Sequence, residues 1–465
     1  MLRLLKQYYP IRNAFFVLGD FFGIYCSVIL ASCAILGDNQ FLLGNIVHYK
    51  AIVIALIFQI CLYYNELYDL KEIDTYTELS IRLCQSLGVA TIIFGFVYII
   101  FRQLIIGRGV LILSVGFVIL FTIAWRFAYN IVLAKGMFNQ NIFVLGSGYL
   151  AASIFNEIKA KKDCGYTVKN EIPDLQKQTK LVTENSVLTI DGGGYHGLLE
   201  IAESLDVSRI VVAIKERRGS FPIDELLNCR TAGIEIIDGN SFYEMLTGKI
   251  YVEQTNPGWL IFADGFKKTG FQRFFKRITD IVAAIALLLL VLPIIVITAI
   301  SIKLESEGPL LFSQERIGKN KKKYMLYKFR SMIPDAESKT GPVWAQQNDD
   351  RITRIGKFIR KWRIDEIPQL WNVLKGDMSF VGPRPEREFF INKLETIIPF
   401  YKTRFTVKPG LTGWAQVNYG YGADEADAIQ KLNYELFYMK NMSFLIDLTV
   451  IARTVSTVIF KKGVR

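Results

Sequence analysis

Long apolar runs dominate the first 135 residues of the chain. A helix needs about 20 apolar residues to span the hydrocarbon core of a bilayer. Four stretches approach or exceed this length, and they contain only two charged residues, Asp20 and Arg126: 15–36, 51–64, 83–101 and 110–134. The second stretch extends toward residue 41, across His48 and Lys50. The pattern predicts four transmembrane helices at residues 1–135.

Basic residues near the N-terminus indicate the orientation of this region. Arg3, Lys6 and Arg12 precede the first apolar stretch. Positive charges that flank a membrane segment favour the cytoplasmic side. We therefore expect a cytoplasmic N-terminus. An even number of crossings then returns the rest of the chain to the cytoplasm.

Strand and helix patterns alternate across residues 136–262. An apolar run at 141–145 leads into a G-x-G-x-x-A turn that contains Gly146 and Gly148, and further strand patterns occur at 209–214 and 233–238. This alternation predicts a Rossmann-like parallel α/β module. A dinucleotide is not the favoured ligand, because no acidic residue follows a second strand and Y-x-x-x-K is absent from 139–262. No cofactor-binding residue is assigned here, and a regulatory or structural module is the favoured interpretation.

A further apolar run lies in the C-terminal half. Residues 281–302 are 22 consecutive uncharged residues, and Pro293 lies near their centre. Basic residues flank the run on both sides, which favours a cytoplasmic location for both ends. We therefore predict a re-entrant helix–break–helix at about 276–303, which dips into the inner leaflet and returns. A kinked helix that crosses the membrane is the alternative.

The net charge of +12 is unevenly distributed along the chain. Residues 1–261 contain 22 basic and 23 acidic residues, whereas residues 262–465 contain 33 and 20. Such an excess attracts anions, for example a phosphorylated substrate, an anionic bilayer surface or a nucleic acid. The membrane segments argue against a nucleic acid. The six cysteines show no C-x-x-C spacing, so neither a zinc site nor a disulfide framework is indicated.

The adjacent acid pair Asp365-Glu366 lies in a strongly cationic stretch and is the leading candidate for chemistry. Basic residues also occur in K-F-R-S-M at 328–332, and a Pro-Arg-Pro segment centres on Arg384. Both histidines lie before residue 262, so chemistry in this half requires carboxylates, Lys, Tyr or Ser. In enzymes that act on phosphates, Arg and Lys bind the phosphate oxygens. One carboxylate attacks phosphorus and another binds a metal ion.

These blocks, in this order and beside an apolar run, resemble the bacterial sugar transferases called polyprenyl-phosphate phosphoglycosyl transferases. The resemblance covers about residues 271–465. It includes K-R-x-x-D at 276–280, V-K-P-G-L-T-G-W-A-Q-V-N at 407–418 and Y-G-Y-G-A at 419–423. The four spans and the α/β module fit a large member that starts exopolysaccharide or capsule assembly. Leu292 precedes Pro293 where some relatives carry Ser.

The resemblance implies a membrane α plus α/β protein whose monotopic catalytic domain, 263–465, lies on the cytoplasmic face of the bacterial inner membrane. It implies transfer of a sugar 1-phosphate from a UDP-sugar to undecaprenyl phosphate, with release of UMP. Asp365 would form a phosphosugar–aspartyl intermediate, and Glu366 would bind Mg²⁺. Four basic residues match positions expected to bind the diphosphate: Lys328, Arg330, Arg360 and Arg384.

Local chemistry agrees with these roles. Pro368 suits the first turn of a helix, so we expect Asp365 at or just before a helix N-terminus. There, backbone N–H groups and the helix dipole keep a carboxylate ionised and attract phosphate.

Other functions stay open at this point. A membrane-anchored nucleotide-sugar oxidoreductase would use the turn at Gly146 and Gly148, and a non-enzymatic regulator would sense nucleotide sugars. The sequence does not identify the transferred sugar or the pathway, and it leaves a homodimer open. The tail at 441–460 predicts either an amphipathic helix on the membrane surface or a core helix.

Overall fold

A computed structural model describes most of the chain and divides it into two compact units, Met1–Phe242 and Tyr243–Arg465. Residues 243–254, which the sequence pattern groups with the α/β module, belong to the second unit, where Ile250 and Val252 join its core. The description covers residues 2–4, 7–9, 11–37, 45–64, 67, 76–100, 106, 109–134, 139–146, 148–161, 164–169, 181–184, 187–190, 197–214, 221–254, 263, 265–333, 351–420 and 424–459.

Four long helices occupy the N-terminal part of the first unit, after a short hairpin of β1 and β2. The six elements are β1 (Leu2–Leu4), β2 (Gln7–Tyr9), α1 (Ile11–Leu36), α2 (Asn45–Tyr64), α3 (Tyr76–Ile100) and α4 (Val110–Ala134). Helices α1, α2 and α4 are long and apolar enough to cross a membrane, whereas the apolar part of α3 is shorter, Arg82–Val97. The sequence therefore predicted the four helices correctly, and three of them meet the length expected of a span.

The two charged residues of the apolar stretches form an ion pair inside this bundle. Arg126 Nη2 lies 2.9 Å from Asp20 Oδ2, and both side chains are buried. An unpaired charge is costly in an apolar environment, and pairing lowers that cost. The ion pair therefore explains how the first and fourth helices carry ionisable residues.

A parallel sheet forms the rest of the first unit. Its strands lie in the order β4-β3-β7-β8, and all three pairings are parallel. The elements of this part are β3 (Gln140–Leu145), α5 (Tyr149–Ala160), β4 (Tyr166–Val168), β5 (Leu181–Glu184), β6 (Val187–Ile190), α6 (Leu198–Ser204), β7 (Arg209–Val212), α7 (Ile223–Thr231) and β8 (Glu235–Asp238). The predicted parallel α/β module is present, and its assignment to the Rossmann type stays a prediction.

The glycine turn after β3 has a packing role. Gly146 has a φ of 127°, and a Cβ added there would lie 2.7 Å from the carbonyl carbon of Ala213, at the end of the neighbouring strand. Close approach of the two strand ends therefore requires glycine at this position. This accounts for one glycine of the turn without a bound dinucleotide.

The second unit combines helices and short strands around a main hydrophobic core, with a smaller apolar cluster at Ile302, Phe329 and Ile359. A two-stranded antiparallel ribbon pairs β9 with β10, and a parallel pair joins β11 to β12. The elements are α8 (Gly239–Thr247, which begins in the first unit), α9 (Gly270–Glu305), β9 (Leu311–Ile317), β10 (Lys323–Phe329), α10 (Arg354–Lys361), α11 (Gln369–Lys375), β11 (Ser379–Val381), α12 (Glu388–Ile397), β12 (Gly410–Thr412), α13 (Trp414–Asn418), α14 (Glu425–Asn441) and α15 (Phe444–Ile459).

Helix α9 carries the apolar run that sequence reasoning expected to break. A capping box formed by Thr269 and Gln272 starts the helix, and it continues through Pro293 to Glu305. The predicted interruption is therefore wrong. A proline lacks one backbone donor, but its fixed φ is compatible with helical geometry, so the surrounding hydrogen bonds keep the segment helical. Most of its apolar side chains are exposed, and α9 is also long and apolar enough to cross a membrane.

Both ends of α9 nevertheless contact other elements of the second unit. Near its start, Arg277 donates hydrogen bonds of 2.6 and 2.7 Å to the carbonyls of Val373 and Leu374. Near its end, Ile302 packs against Phe329 and Ile359. Both ends of α9 are therefore held by one compact unit, and the re-entrant path of this segment in a bilayer stays a prediction.

The C-terminal helix α15 shows both faces that the sequence left open. Ile446 and Val450 are buried in the core, whereas Phe444 and Leu448 are 62% and 51% exposed. One face is therefore a core face, and the opposite face presents apolar side chains.

Cysteine labelling tests whether both flanks of α9 lie on one side. We expect Lys267→Cys and Glu307→Cys, each in a cysteine-free background, to react with a membrane-impermeant maleimide only from the cytoplasmic face. Asn39→Cys, in the predicted first outer loop, is the control for the opposite face. Labelling of positions 267 and 307 from opposite faces contradicts the re-entrant path and supports a crossing helix.

Candidate active site

The acid pair lies in a tight turn between two helices. Helix α10 ends near Arg363, which adopts a left-handed conformation with φ 55°. A short 3-10 turn, Ile364–Glu366, follows, and Pro368 is the N-cap residue of α11. The prediction that Asp365 lies just before a helix N-terminus is therefore correct. Left-handed backbone is unfavourable for residues other than glycine, and such strain is often found at functional sites.

Glu366 is surrounded by three cations. Its Oε1 accepts hydrogen bonds from Lys328 Nζ at 3.0 Å and from Arg384 Nη2 at 2.8 Å. Its Oε2 lies 4.0 Å from Arg363 Nη1. Burial raises the pKa of Glu366, but the positive charges of Arg384, Lys328 and Arg363 outweigh that effect and hold the pKa well below its usual range. Glu366 is therefore ionised at neutral pH.

Asp365 has a different electrostatic environment although it is the next residue. Its side chain is buried, and burial raises its pKa to about 6, with a further upward contribution from Glu366. Lys328 and Arg360 oppose this increase. A carboxylate with such a pKa is mostly ionised at neutral pH and is more basic than an exposed one. These are the properties of a nucleophile.

Arg384 is held in a rigid segment that follows β11. Prolines precede and follow it, and its Nη1 donates to Gln416 Oε1 at 3.0 Å. One guanidinium therefore bridges Glu366 and Gln416. A fork of this kind is suited to a planar or tetrahedral oxyanion.

The V-K-P-G-L-T-G-W-A-Q block forms a close-packed wall beside this segment. Strand β12 pairs with β11, and a Cβ on Gly410 would lie 2.0 Å from the backbone nitrogen of Gly382. Trp414 is buried and donates to the carbonyl of Gly248 at 2.8 Å. The glycines therefore serve packing here, and the block delivers Gln416 to Arg384.

The structure separates Arg330 from the other predicted phosphate-binding residues. Its guanidinium donates to the carbonyls of Ser306 and Glu307 at 2.7 Å each, and to Ser306 Oγ at 2.9 Å. These groups lie directly after the C-terminus of α9, so Arg330 anchors the end of that helix. Sequence reasoning assigned Arg330 to the diphosphate because it matches a basic position of the family motifs. Lys328 lies in β10 and Arg330 directly follows that strand, yet Lys328 contacts Glu366 whereas Arg330 contacts the residues after α9.

Two residues at the site were missed by sequence reasoning. Arg363 was visible in the basic run before the acid pair, and Gln416 was visible in the glycine-rich block. Neither was assigned a role, because the left-handed turn and the pairing of β11 with β12 were not predictable from spacing. The structure brings Lys328, Arg363 and Arg384 to Glu366, and the charge of Arg360 acts on Asp365.

The carboxylates fit one mode of Mg²⁺ binding. Mg²⁺ often takes one or two protein carboxylates and completes its coordination with substrate phosphates and water. Glu366 is ionised and next to Asp365. Its hydrogen bonds from Lys328 and Arg384 are both to Oε1, whereas Arg363 lies 4.0 Å from Oε2. No cluster of three or more acidic, histidine or cysteine ligands occurs within the part of the chain that the structure describes. The donor set therefore fits a magnesium ion that arrives with a phosphate.

Comparison with known proteins adds family evidence to this geometry. The model of the family described as bacterial sugar transferase matches residues 271–461, which contain the acid pair and all its cations. A putative undecaprenyl-phosphate N-acetylgalactosaminyl 1-phosphate transferase of Bacillus subtilis is 53% identical over 138 residues, covering 30% of this chain and 76% of the relative. The chain belongs to the bacterial sugar transferase family.

Two further relatives have related names. A UDP-N-acetylgalactosamine-undecaprenyl-phosphate N-acetylgalactosaminephosphotransferase of Aeromonas hydrophila is 41% identical over 240 residues, covering 52% of this chain and 56% of the relative. A UDP-glucose:undecaprenyl-phosphate glucose-1-phosphate transferase of Escherichia coli is 40% identical over 191 residues, covering 40% of each. The match thus spans about half the length of the Aeromonas protein. Family and names class this chain with the sugar-phosphate transferases.

Paired substitutions test the separation of Arg330 from the site. We expect Arg330→Lys to lower the midpoint of thermal unfolding, because an ammonium group cannot reproduce three directed hydrogen bonds. The free energy of unfolding should fall by about 2 kcal/mol. The affinity of the Arg330→Lys protein for UDP should stay within about twofold of the original value. UDP is the part shared by the donors in the names of the Aeromonas and Escherichia coli relatives. Arg384→Lys is the matched control and should weaken UDP binding without comparable loss of stability. A large loss of UDP affinity in a stable Arg330→Lys protein would restore its predicted phosphate-binding role.

Proposed function

We propose that this protein transfers a sugar 1-phosphate from a UDP-sugar to undecaprenyl phosphate and thereby starts assembly of an exopolysaccharide or capsule repeat unit. The observation that carries the proposal is the buried pair Asp365-Glu366, in which Lys328 and Arg384 hydrogen-bond Glu366 while burial raises the pKa of Asp365. The family match at residues 271–461, which contain the pair, and relatives whose names specify this reaction type support the proposal.

The first step uses Asp365 as the nucleophile. One oxygen of its carboxylate attacks the β-phosphorus of the UDP-sugar. The bond between that phosphorus and the oxygen bridging to the α-phosphate breaks, and UMP leaves with the bridging oxygen. The sugar phosphate is then linked to Asp365 as an acyl phosphate. The elevated pKa of Asp365 favours this attack because basicity and nucleophilicity increase together.

The cations stabilise the negative charge that develops on the phosphoryl oxygens during this transfer. Lys328 and Arg384 already contact Glu366, so both are held near the position of a β-phosphate that reacts with the adjacent Asp365. Preorganised cations stabilise phosphoryl oxygens without reorganisation during the reaction. Arg360 and Arg363 add positive charge on the side of α10.

The second step regenerates the carboxylate. A phosphate oxygen of undecaprenyl phosphate attacks the phosphorus of the intermediate, and the bond from phosphorus to Asp365 breaks. The product is a lipid-linked diphosphate sugar.

Glu366 is the residue that would hold Mg²⁺. When bound, Mg²⁺ would neutralise phosphate charge.

An apolar helix beside the acid pair supports a reaction at a lipid surface. Undecaprenyl phosphate is confined to a membrane. Helix α9 has exposed apolar side chains, and near its start it contacts α11, the helix that follows the acid pair. With the N-terminal charge pattern, this supports a catalytic domain on the cytoplasmic face of the bacterial inner membrane. A homodimer stays a prediction.

The proposal does not specify the sugar. The relatives are named for N-acetylgalactosamine, glucose and, in Erwinia amylovora, galactose. Binding of the donor through its diphosphate is compatible with each of these sugars. The oxidoreductase alternative has no support from the family match, and Gly146 is explained by strand packing.

Release of UMP in the absence of lipid tests the covalent route. Purified protein with a suitable UDP-sugar should release about one equivalent of UMP before undecaprenyl phosphate is added, because the first half-reaction is independent. Asp365→Asn should reduce this burst by at least about 10³-fold. Asp377→Asn, a nearby acid paired with Lys375, is the matched control and should retain the burst. If UMP appears only with lipid, or if the Asp365→Asn protein keeps the burst, the covalent mechanism is wrong.

A further inference from the structure

The segment that contains Arg384 is held in place by groups from elsewhere in the domain. The proline after Arg384 has no backbone N–H and cannot donate a stabilising hydrogen bond. The carbonyl of Pro383 accepts from Gly410 N at 2.8 Å, and the carbonyl of Arg384 itself accepts from Arg404 Nη2 at 2.8 Å. The backbone of the phosphate-binding candidate is therefore fixed by a second arginine.

Arg404 is itself fixed by a buried glutamate. It lies in the 3-10 turn Tyr401–Thr406 and is 6% exposed. Its Nη2 lies 2.9 Å from Glu435 Oε1 on α14, and Nη1 donates to Tyr401 Oη. The guanidinium carbon also lies 4.9 Å from the centre of the Tyr401 ring. Three directed contacts thus define the orientation of this guanidinium.

The same nitrogen links the ion pair to the site. Arg404 Nη2 donates both to Glu435 and to the carbonyl of Arg384. On the other side of that residue, the Arg384 guanidinium donates to Glu366. A continuous chain of polar contacts therefore runs from a fully buried carboxylate on α14 to the catalytic acid pair.

Stability alone is a poor reason for this arrangement. Burying two charges requires their desolvation, and a buried ion pair often stabilises a fold no more than apolar residues of the same shape. Such pairs are better explained when they define one geometry. Here the geometry defined is the position of the Arg384 backbone, which sets where the guanidinium fork points.

We propose that Arg404 and Glu435 are positioning residues for the transfer: they hold the Arg384 carbonyl so that its guanidinium meets Glu366 and the donor diphosphate together. This inference rests on the proposed function. Neither residue contacts the acid pair, so both act through Arg384. Lysine at 404 would keep the charge but lack the planar fork needed for its three acceptors.

A mutant cycle on the full-length chain in nanodiscs distinguishes positioning from a general structural role. The measured quantity is kcat/KM for UMP release with undecaprenyl phosphate and the best of UDP-glucose, UDP-galactose and UDP-N-acetylgalactosamine. We expect Glu435→Gln and Arg404→Lys each to lower it by about 10- to 100-fold, since small displacements of a binding group have effects of this order.

The second arm of the cycle repeats both substitutions in Arg384→Lys protein. A lysine ammonium presents no fork to orient, so the further loss should be less than about twofold. An equal loss in both backgrounds overturns the inference, because a general structural defect does not depend on the side chain at 384. The Arg384→Lys protein keeps its cation, so residual turnover is measurable.

Glu244→Gln is the matched control for Glu435→Gln. Glu244 is also a buried glutamate with an ion pair to a cation on α14: Lys440 Nζ donates to Glu244 Oε2 at 2.6 Å, and Asn441 Nδ2 donates to Oε1 at 2.8 Å. We expect kcat/KM to stay within about twofold of the original protein. A loss equal to that of Glu435→Gln also overturns the inference. Absence of UMP release from the original protein across a wider panel of UDP-sugars would refute the proposed function instead, which keeps the two failures distinct.

Discussion

The hydrogen-bonded contact of Glu366 with Lys328 and Arg384 is the constraint on which the site depends. Two neighbouring carboxylates repel each other in a buried environment, so they cannot share the same ionisation behaviour. The two cations bind Glu366 and hold its pKa low, whereas burial raises that of Asp365. Different environments thus suit the adjacent acids to the different roles proposed for them, Glu366 as a charged partner for cations and Asp365 as the attacking carboxylate.

The apolar helix α9 positions both halves of this site. Arg277 donates to the last carbonyls of α11, the helix that begins just after the acid pair. One turn further, Asp280 accepts from Ser379 Oγ at 2.8 Å and from Phe380 N at 3.0 Å, at the start of the strand that leads to Arg384. The K-R-x-x-D segment therefore connects α9 to the acid pair and to its main cation. This explains why an apolar helix and a phosphate site belong to one folding unit.

Sequence reasoning reached the elements whose information is local. Apolar runs predicted the N-terminal helices, and Pro368 predicted the helix after Asp365. The interruption at Pro293 was wrong because helical hydrogen bonding on both sides outweighs the loss of one donor. The contact of Arg330 with Ser306 and the pairing of Arg404 with Glu435 were not predicted, because these partners are distant in sequence or depend on how helices pack. Charge patterns name candidates for a site, whereas tertiary contacts decide which of them meet.

The central claim is that Asp365 becomes temporarily bonded to the sugar phosphate of the donor. Mass spectrometry of protein quenched in acid after incubation with a UDP-sugar, without lipid, measures this directly. The account predicts an increase equal to one sugar phosphate minus water, located on the peptide that contains Asp365 and lost after addition of undecaprenyl phosphate. Unmodified Asp365 in protein that nevertheless forms lipid-linked product under the same conditions would contradict it.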